Sequence, residues 1–279
     1  MHESESNDKT SHRDEIDIRK LIIVLSEGKW LISSMTVIVS IIAVIYSLSL
    51  PNIYQSQALL APVSHSDINS SSMGGLGGLA GLAGINLPKS SENNASKAIK
   101  KINSLSFFKD NILPNISLAD LMAIKAWDSK TNEVIIDEEI YNKNTNTWVQ
   151  NSPSGQSKPS VQQSFQVFQK HFLISEDKKT GFISLSIKNQ SPFLAKEWAD
   201  LLIEQINFFY REKDKLQAER AVNYLNQQIS KTQLTEIKQA IAALLQQETQ
   251  KLTLIEARKS YVYEYIDPPA VMEKKVMPR

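Results

Sequence analysis

The residues able to do chemistry are few in this 279-residue chain. It has no Cys, which removes disulfide frameworks, thiol catalysis, Fe–S clusters and thiolate zinc sites together. The four His are His2, His12, His65 and His171, and no two are close enough in sequence to form a local metal motif. A hydrolase needs an activated nucleophile, a metal or paired carboxylates; G-x-S-x-G and H-E-x-x-H are both absent. His171 sits beside an apolar helical face and is expected to be structural. Asp137, Glu138 and Glu139 form an acidic run, expected as a solvated loop, with a divalent-cation site as the alternative. Gly75 to Ala80 formally fits the dinucleotide fingerprint G-x-G-x-x-A, but a Ser-rich loop precedes it and no βαβ unit surrounds it. Asn69-Ser70-Ser71 and Asn115-Ile116-Ser117 fit the glycosylation pattern, which is short enough to arise by chance. The expectation is therefore no catalytic residue, no cofactor and no metal.

Charge gives the same answer for nucleic acid. Lys plus Arg total 31 and Asp plus Glu total 30. That balance lacks the basic excess of a general nucleic-acid binder.

Without chemistry to position, the elements themselves become the subject. Residues 30–50 read WLISSMTVIVSIIAVIYSLSL and carry no charge. As a helix they span about 31 Å, the thickness of a bilayer's hydrocarbon core. The segment ends in Ser47-Leu48-Ser49-Leu50-Pro51, without the small-residue site of a cleaved signal peptide, so an uncleaved anchor is expected. Arg13, Arg19, Lys20 and Lys29 precede it, and no Lys or Arg follows until Lys89. That asymmetry places the N-terminus in the cytoplasm and the remainder outside. Residues 14–25 (DEIDIRKLIIVL) read equally as an interfacial helix or as an extension of the span. Ser33, Thr36, Ser40, Ala43 and Ser47 recur every three or four residues, a small face suited to close helix packing in lipid.

Beyond the span, residues 53–63 read as a strand, and residues 64–88 hold six of the nine Gly, between Gly74 and Gly84. One helix is expected over 91–108, with Ala95, Ile99, Ile102, Leu105 and Phe108 on a stripe. A short helix capped by Ser117 follows over 117–125. Residues 127–160 read as a polar insertion with one short strand at Val134–Ile136. Helical spacing resumes over 161–172, then two strands flank a Gly-containing turn. Ser191-Pro192 is a helix start, and no Gly or Pro follows until after Lys231, giving a helix of about 60 Å. Its first third is rich in large apolar residues; beyond it Ala218, Ala221, Val222, Leu225 and Ile229 form a narrow stripe suited to one partner helix. The stripe restarts at Leu234 and runs to Ile255, reading as a hairpin or broken return helix. Tyr261–Asp267 reads as a final strand. The charged clusters 211–215 and 219–220 read as a solvated face, or as contacts between subunits through Arg211, Asp214, Glu219 and Arg220.

The fold class is thus α+β: a membrane-anchored α/β base of about four short strands plus helices, with a long extended helical arm. The segments are 1–29 cytoplasmic, 30–50 transmembrane, 51–190 periplasmic base with the Gly-rich loop 74–84, 191–260 arm and return helix, and 261–279 final strand and Pro-rich end.

The order of several motifs resembles one family. Asp14-Glu15-Ile16-Asp17-Ile18 precedes a span that opens Lys29-Trp30 and exits through Leu50-Pro51-Asn52-Ile53-Tyr54. The Gly-Leu-Ala run 74–84, Lys178-Lys179-Thr180-Gly181-Phe182, Ser191-Pro192 and Ile266-Asp267-Pro268-Pro269 follow in turn. This is similar to the Wzz-type chain-length determinants, the polysaccharide co-polymerases of Gram-negative inner membranes. The resemblance implies a non-enzymatic regulator of the modal length of lipopolysaccharide O-antigen. It implies a homo-oligomeric ring in the inner membrane, working with the O-antigen polymerase, with the growing polysaccharide as a further partner. Such proteins carry a second span, expected to begin where this sequence ends at Pro278-Arg279. The rival readings are a capsule or exopolysaccharide co-polymerase served by a separate kinase, a periplasmic adaptor of a transport complex, and a membrane-tethered hydrolase.

Overall fold

The computed structural model describes residues 28–63, 94–149 and 158–278. The Gly-rich run 74–84, the segment 14–25 and three of the histidines, His2, His12 and His65, lie outside them. The chain divides into two compact units, Met1–Leu50 and Pro51–Arg279.

The described part of the first unit is one helix, α1 (Lys29–Ser49). Lys29–Ser47 has a mean hydropathy of 2.0, long and apolar enough to cross a membrane. Its large side chains face outward, from Trp30 to Tyr46. A run so rich in Val and Ile pays β-branched crowding in a helix. In lipid the helix still prevails, because it satisfies every backbone group within itself. Leu50 turns to extended backbone ahead of Pro51, as the residue before proline must.

In the second unit the core is a four-stranded antiparallel sheet covered by helices. The strands are β1 (Tyr54–Pro62), β6 (Phe172–Glu176), β7 (Ile183–Asn189) and β8 (Tyr263–Asp267), in the order β6-β7-β1-β8. Alternation fixes the register. Ser56 pairs with Ile187, Ala58 with Leu185 and Leu60 with Ile183, and all six are buried. A one-residue slip would turn that entire set to the opposite face. Asp177–Gly181 turns β6 into β7, with the Gly181 N–H on the Asp177 carbonyl at 2.7 Å. Gly181 sits at φ +74°, a conformation that costs glycine least.

The long helix is α6 (Pro192–Lys231). The Ser191 hydroxyl accepts from the Leu194 N–H, Pro192 occupies the first turn, and the helix runs 40 residues without interruption. Ala195, Trp198, Ala199, Leu202, Ile203, Ile206 and Tyr210 are buried against the sheet. Beyond Tyr210 only Ala218 is fully buried; the narrow stripe meets α7 (Thr235–Ala257). The chain reverses through Thr232–Leu234, and α7 returns antiparallel, with Lys215 Nζ 3.0 Å from Glu256 Oε1. Near the reversal Leu234 and Ile237 stay exposed.

Several details depart from the sequence reading. The helix expected over 91–108 is broken. α2 (Asn94–Ile102) ends before Ser104, whose extended backbone starts a new turn and whose hydroxyl accepts from the Phe107 N–H. α3 (Leu105–Phe107) then widens into a π-turn, Phe108–Ile112. The break seats both Phe107 and Phe108 in the core, which one continuous stripe could not do. The Ser117-capped helix α4 (Leu118–Met122) stops early because Ile124 enters a strand. The polar insertion holds two hairpins: β2 (Ile124–Asp128) with β3 (Glu133–Ile136), and β4 (Tyr141–Asn142) with β5 (Thr147–Trp148). Their turns use Asn132 and Asn146 at positive φ, a conformation Asn tolerates better than most. The described residues therefore contain eight strands, of which four make the main sheet. α5 (Val161–His171) begins with a reciprocal cap between Ser160 and Gln163.

Candidate functional site: the anchor helix and the base of the arm

The residues first considered for chemistry take structural positions. His171 ends α5 with Nδ1 2.7 Å from the Lys188 carbonyl. Its ring meets Trp198 edge-on at 5.5 Å. Burial holds the imidazole below its usual 6.5, and the Lys188 carbonyl opposes that shift in part. The Asp137 carboxylate accepts from the Glu139 N–H at 3.0 Å, so the acidic run is a turn. Among the described residues no three His, Asp or Glu side chains gather as metal ligands.

The denser polar arrangement joins the root of α6 to the final strand. Asp200, Asn207 and Asp214 recur every seven residues and so lie near one helical face. Tyr261, Tyr263 and Tyr265 recur every second residue and share one side of the extended chain. The two periods mesh. Tyr261 donates to Asp214 at 2.6 Å and Tyr265 to Asp200 at 3.0 Å. Tyr263, between them, reaches the Ala95 carbonyl on α2 at 2.6 Å. The Asn207 amide sits in the middle. Its oxygen accepts from the N–H groups of Val262 and Tyr263 at 2.7 and 2.9 Å, and its nitrogen donates to the Tyr263 carbonyl at 2.9 Å. Arg211 adds a bond to the Lys259 carbonyl. All three phenols are pushed above their ordinary range, by burial first. For Tyr261 and Tyr265 the neighbouring carboxylate acts in the same direction. They remain protonated donors throughout the physiological range.

Of the four charged residues singled out from sequence, Arg211 bonds the Lys259 carbonyl and Asp214 accepts from Tyr261. Glu219 is half-buried and Arg220 is exposed on the arm. Asn207 was not singled out; its signal in the sequence is an amide inside the apolar stretch Ile206–Tyr210.

On α1, Ser33, Thr36, Ser40, Ala43 and Ser47 are all exposed. The Thr36 hydroxyl donates to the Ile32 carbonyl and the Ser40 hydroxyl to the Thr36 carbonyl, each at 2.8 Å. Both hydroxyls are thus satisfied inside the helix, which suits a lipid environment.

Comparison with known proteins gives a match over part of the chain. Residues 14–111 match the model of the Wzz family, described as chain length determinant protein. No curated protein matches the chain. Among solved structures, a fragment of WzzB, a polysaccharide co-polymerase from Salmonella Typhimurium, is 14% identical. That match covers 81% of this chain and 100% of the other, with a TM-score of 0.36. A full-length bacterial polysaccharide co-polymerase is also 14% identical, covering 93% of this chain and 88% of that one, at a TM-score of 0.35. The family-model match runs from the segment ahead of α1 through β1 and α2 into the π-turn. Residues 14–111 are thus similar to the chain length determinant family.

Proposed function

We propose that this protein regulates the modal length of lipopolysaccharide O-antigen without catalysing a reaction itself. In this reading it sits in the bacterial inner membrane, N-terminus in the cytoplasm and bulk in the periplasm, as a homo-oligomeric ring beside the polymerase. The observation that carries the reading is the family match over residues 14–111. Support for the location comes from α1 and from Lys and Arg clustered on its N-terminal side. Support for assembly comes from α6, whose outer portion is too thinly apolar to be a core element. The domain division proposed is anchor at 30–50, base at 51–190, arm at 191–260 and final strand with the Pro-rich end at 261–279.

The test is the lipopolysaccharide banding pattern of a deletion strain on a gel. A lost or shifted modal band, restored by the gene in trans, supports the reading. Unchanged banding with altered capsule or exopolysaccharide length transfers the same regulatory role to that polymer.

A further inference from the structure

The outer part of α6 carries a polar hollow. Asn223, Asn226, Gln227, Ser230 and Lys231 line it, around a volume of about 590 Å³. They recur at three- and four-residue intervals, which puts all five on one helical face. The Ser230 hydroxyl donates to the Asn226 carbonyl at 3.1 Å, so its oxygen can still accept. Among the described residues, no side-chain hydrogen bond or ion pair holds the three amides or the Lys231 ammonium. Tyr224 is 62% exposed. It lies three positions before Gln227 and is its neighbour on the helix surface, beside the hollow.

Asn is a poor residue for a helix interior, because its amide competes for backbone partners. Asn223 and Asn226 fall within one turn of α6 and make no side-chain bond there in return. A local rule broken without compensation in the fold points to a task outside it.

The lining narrows what that task is. It has no carboxylate and no imidazole to hold a divalent cation. Its single lysine is too little charge for a nucleic-acid backbone. It has no large apolar side chain, so it lacks the apolar centre of a contact between subunits. Each amide instead sets a donor beside an acceptor, a pairing that fits adjacent hydroxyls on a sugar ring. An exposed phenol ring beside them offers a flat apolar face to the ring's C–H surface.

We propose that this hollow binds a saccharide chain through the amides of Asn223, Asn226 and Gln227, with Tyr224 stacked on a sugar ring. The chemical class of the ligand follows from the hollow; that the chain is the regulated polysaccharide rests on the function proposed above.

The test uses the full chain in lipid nanodiscs, free of sugar-based detergent. The probe is polysaccharide released by mild acid from the lipopolysaccharide of the source bacterium and labelled for fluorescence anisotropy. The triple variant Asn223→Ala, Asn226→Ala, Gln227→Ala should raise the Kd at least tenfold. Its thermal melt should be no lower than wild type, because Ala is the better helix former. Gln217→Ala removes an exposed amide elsewhere on α6 and should leave the Kd unchanged. Equal affinity of the triple variant and wild type, or no binding by wild type, would overturn the proposal. A triple variant that keeps its affinity but loses oligomer by light scattering would overturn it too, and make the hollow a contact between copies. None of these results decides the regulatory reading, which the banding of the complemented deletion strain tests separately.

Discussion

The Asn207 side chain makes both backbone hydrogen bonds of Tyr263, accepting from its N–H and donating to its carbonyl, each at 2.9 Å. A helical side chain thereby acts as a neighbouring strand for β8, the edge of the sheet. The opposite neighbour of Tyr263 is Pro62, which has no N–H to give. Edge strands expose unpaired backbone groups that invite pairing with other chains; here an amide on α6 covers those of Tyr263.

Asn207→Ala should therefore remove the bonds that the N–H groups of Val262 and Tyr263 and the Tyr263 carbonyl make to α6. The expected loss is about 1–3 kcal/mol of stability, the cost of leaving partly buried polar groups unsatisfied. Asn207→Asp keeps the acceptor and loses the donor, so it should fall between Ala and wild type. Denaturant melts of the three proteins check the order. Asp no better than Ala would mean that the two accepted bonds contribute little.

Asp214 and Arg220 lie six residues apart on α6 but should fail in different ways. Asp214 holds the Tyr261 hydroxyl, so Asp214→Ala should lower subunit stability by about 1–2 kcal/mol. Arg220 is exposed, and Arg220→Glu should leave the melt within about 0.5 kcal/mol of wild type. If the outer arm meets a second copy, Arg220→Glu should instead reduce the oligomer seen by light scattering in detergent. An unchanged oligomer would move the contact elsewhere on the arm.

The elements with a strong local signal were legible from sequence. Ser191-Pro192 marked the start of α6, and Ile183, Leu185 and Ile187 alternated into β7. Here cap, period and burial all agree. Where local pattern and packing disagree, the reading failed. The 3.6-residue stripe from Ala95 to Phe108 looked continuous, yet Ser104 breaks it because the core takes both Phe107 and Phe108. Two-residue strands such as Tyr141–Asn142 are too short to show a period. The latch around Asn207 was invisible for a different reason. Its meaning depends on meeting the backbone of residues more than fifty positions away.

His171 should make stability pH-dependent. Burial lowers its folded pKa below 6.5, so the unfolded chain takes up the proton first. Its contribution is complete above about pH 6.5 and is lost as pH falls from there toward the lower folded value. His171→Asn removes the titration, so the difference in stability between pH 7.5 and pH 5.5 should be smaller in the variant. Equal slopes in parallel melts would show that His171 carries none of the acid sensitivity.

The small face of α1 carries the last prediction. In lipid there is no hydrophobic drive between helices, so association depends on close backbone approach and on occasional polar contacts. Ser33, Thr36, Ser40, Ala43 and Ser47 allow such an approach. The hydroxyls of Thr36 and Ser40 already bond inside the helix, so packing, not hydrogen bonding, should be their contribution. Ser40→Leu makes the span more apolar and adds bulk at the centre of that face. Insertion should survive while close packing is lost. Ile41→Leu conserves volume about 100° around the helix and serves as the control. If the proposed function holds, Ser40→Leu should broaden or shorten the polysaccharide distribution in cells, with Ile41→Leu indistinguishable from wild type. Membrane extraction confirms equal insertion of the two. If both variants give wild-type distributions, the small residues are merely tolerated by the span and contact no other helix.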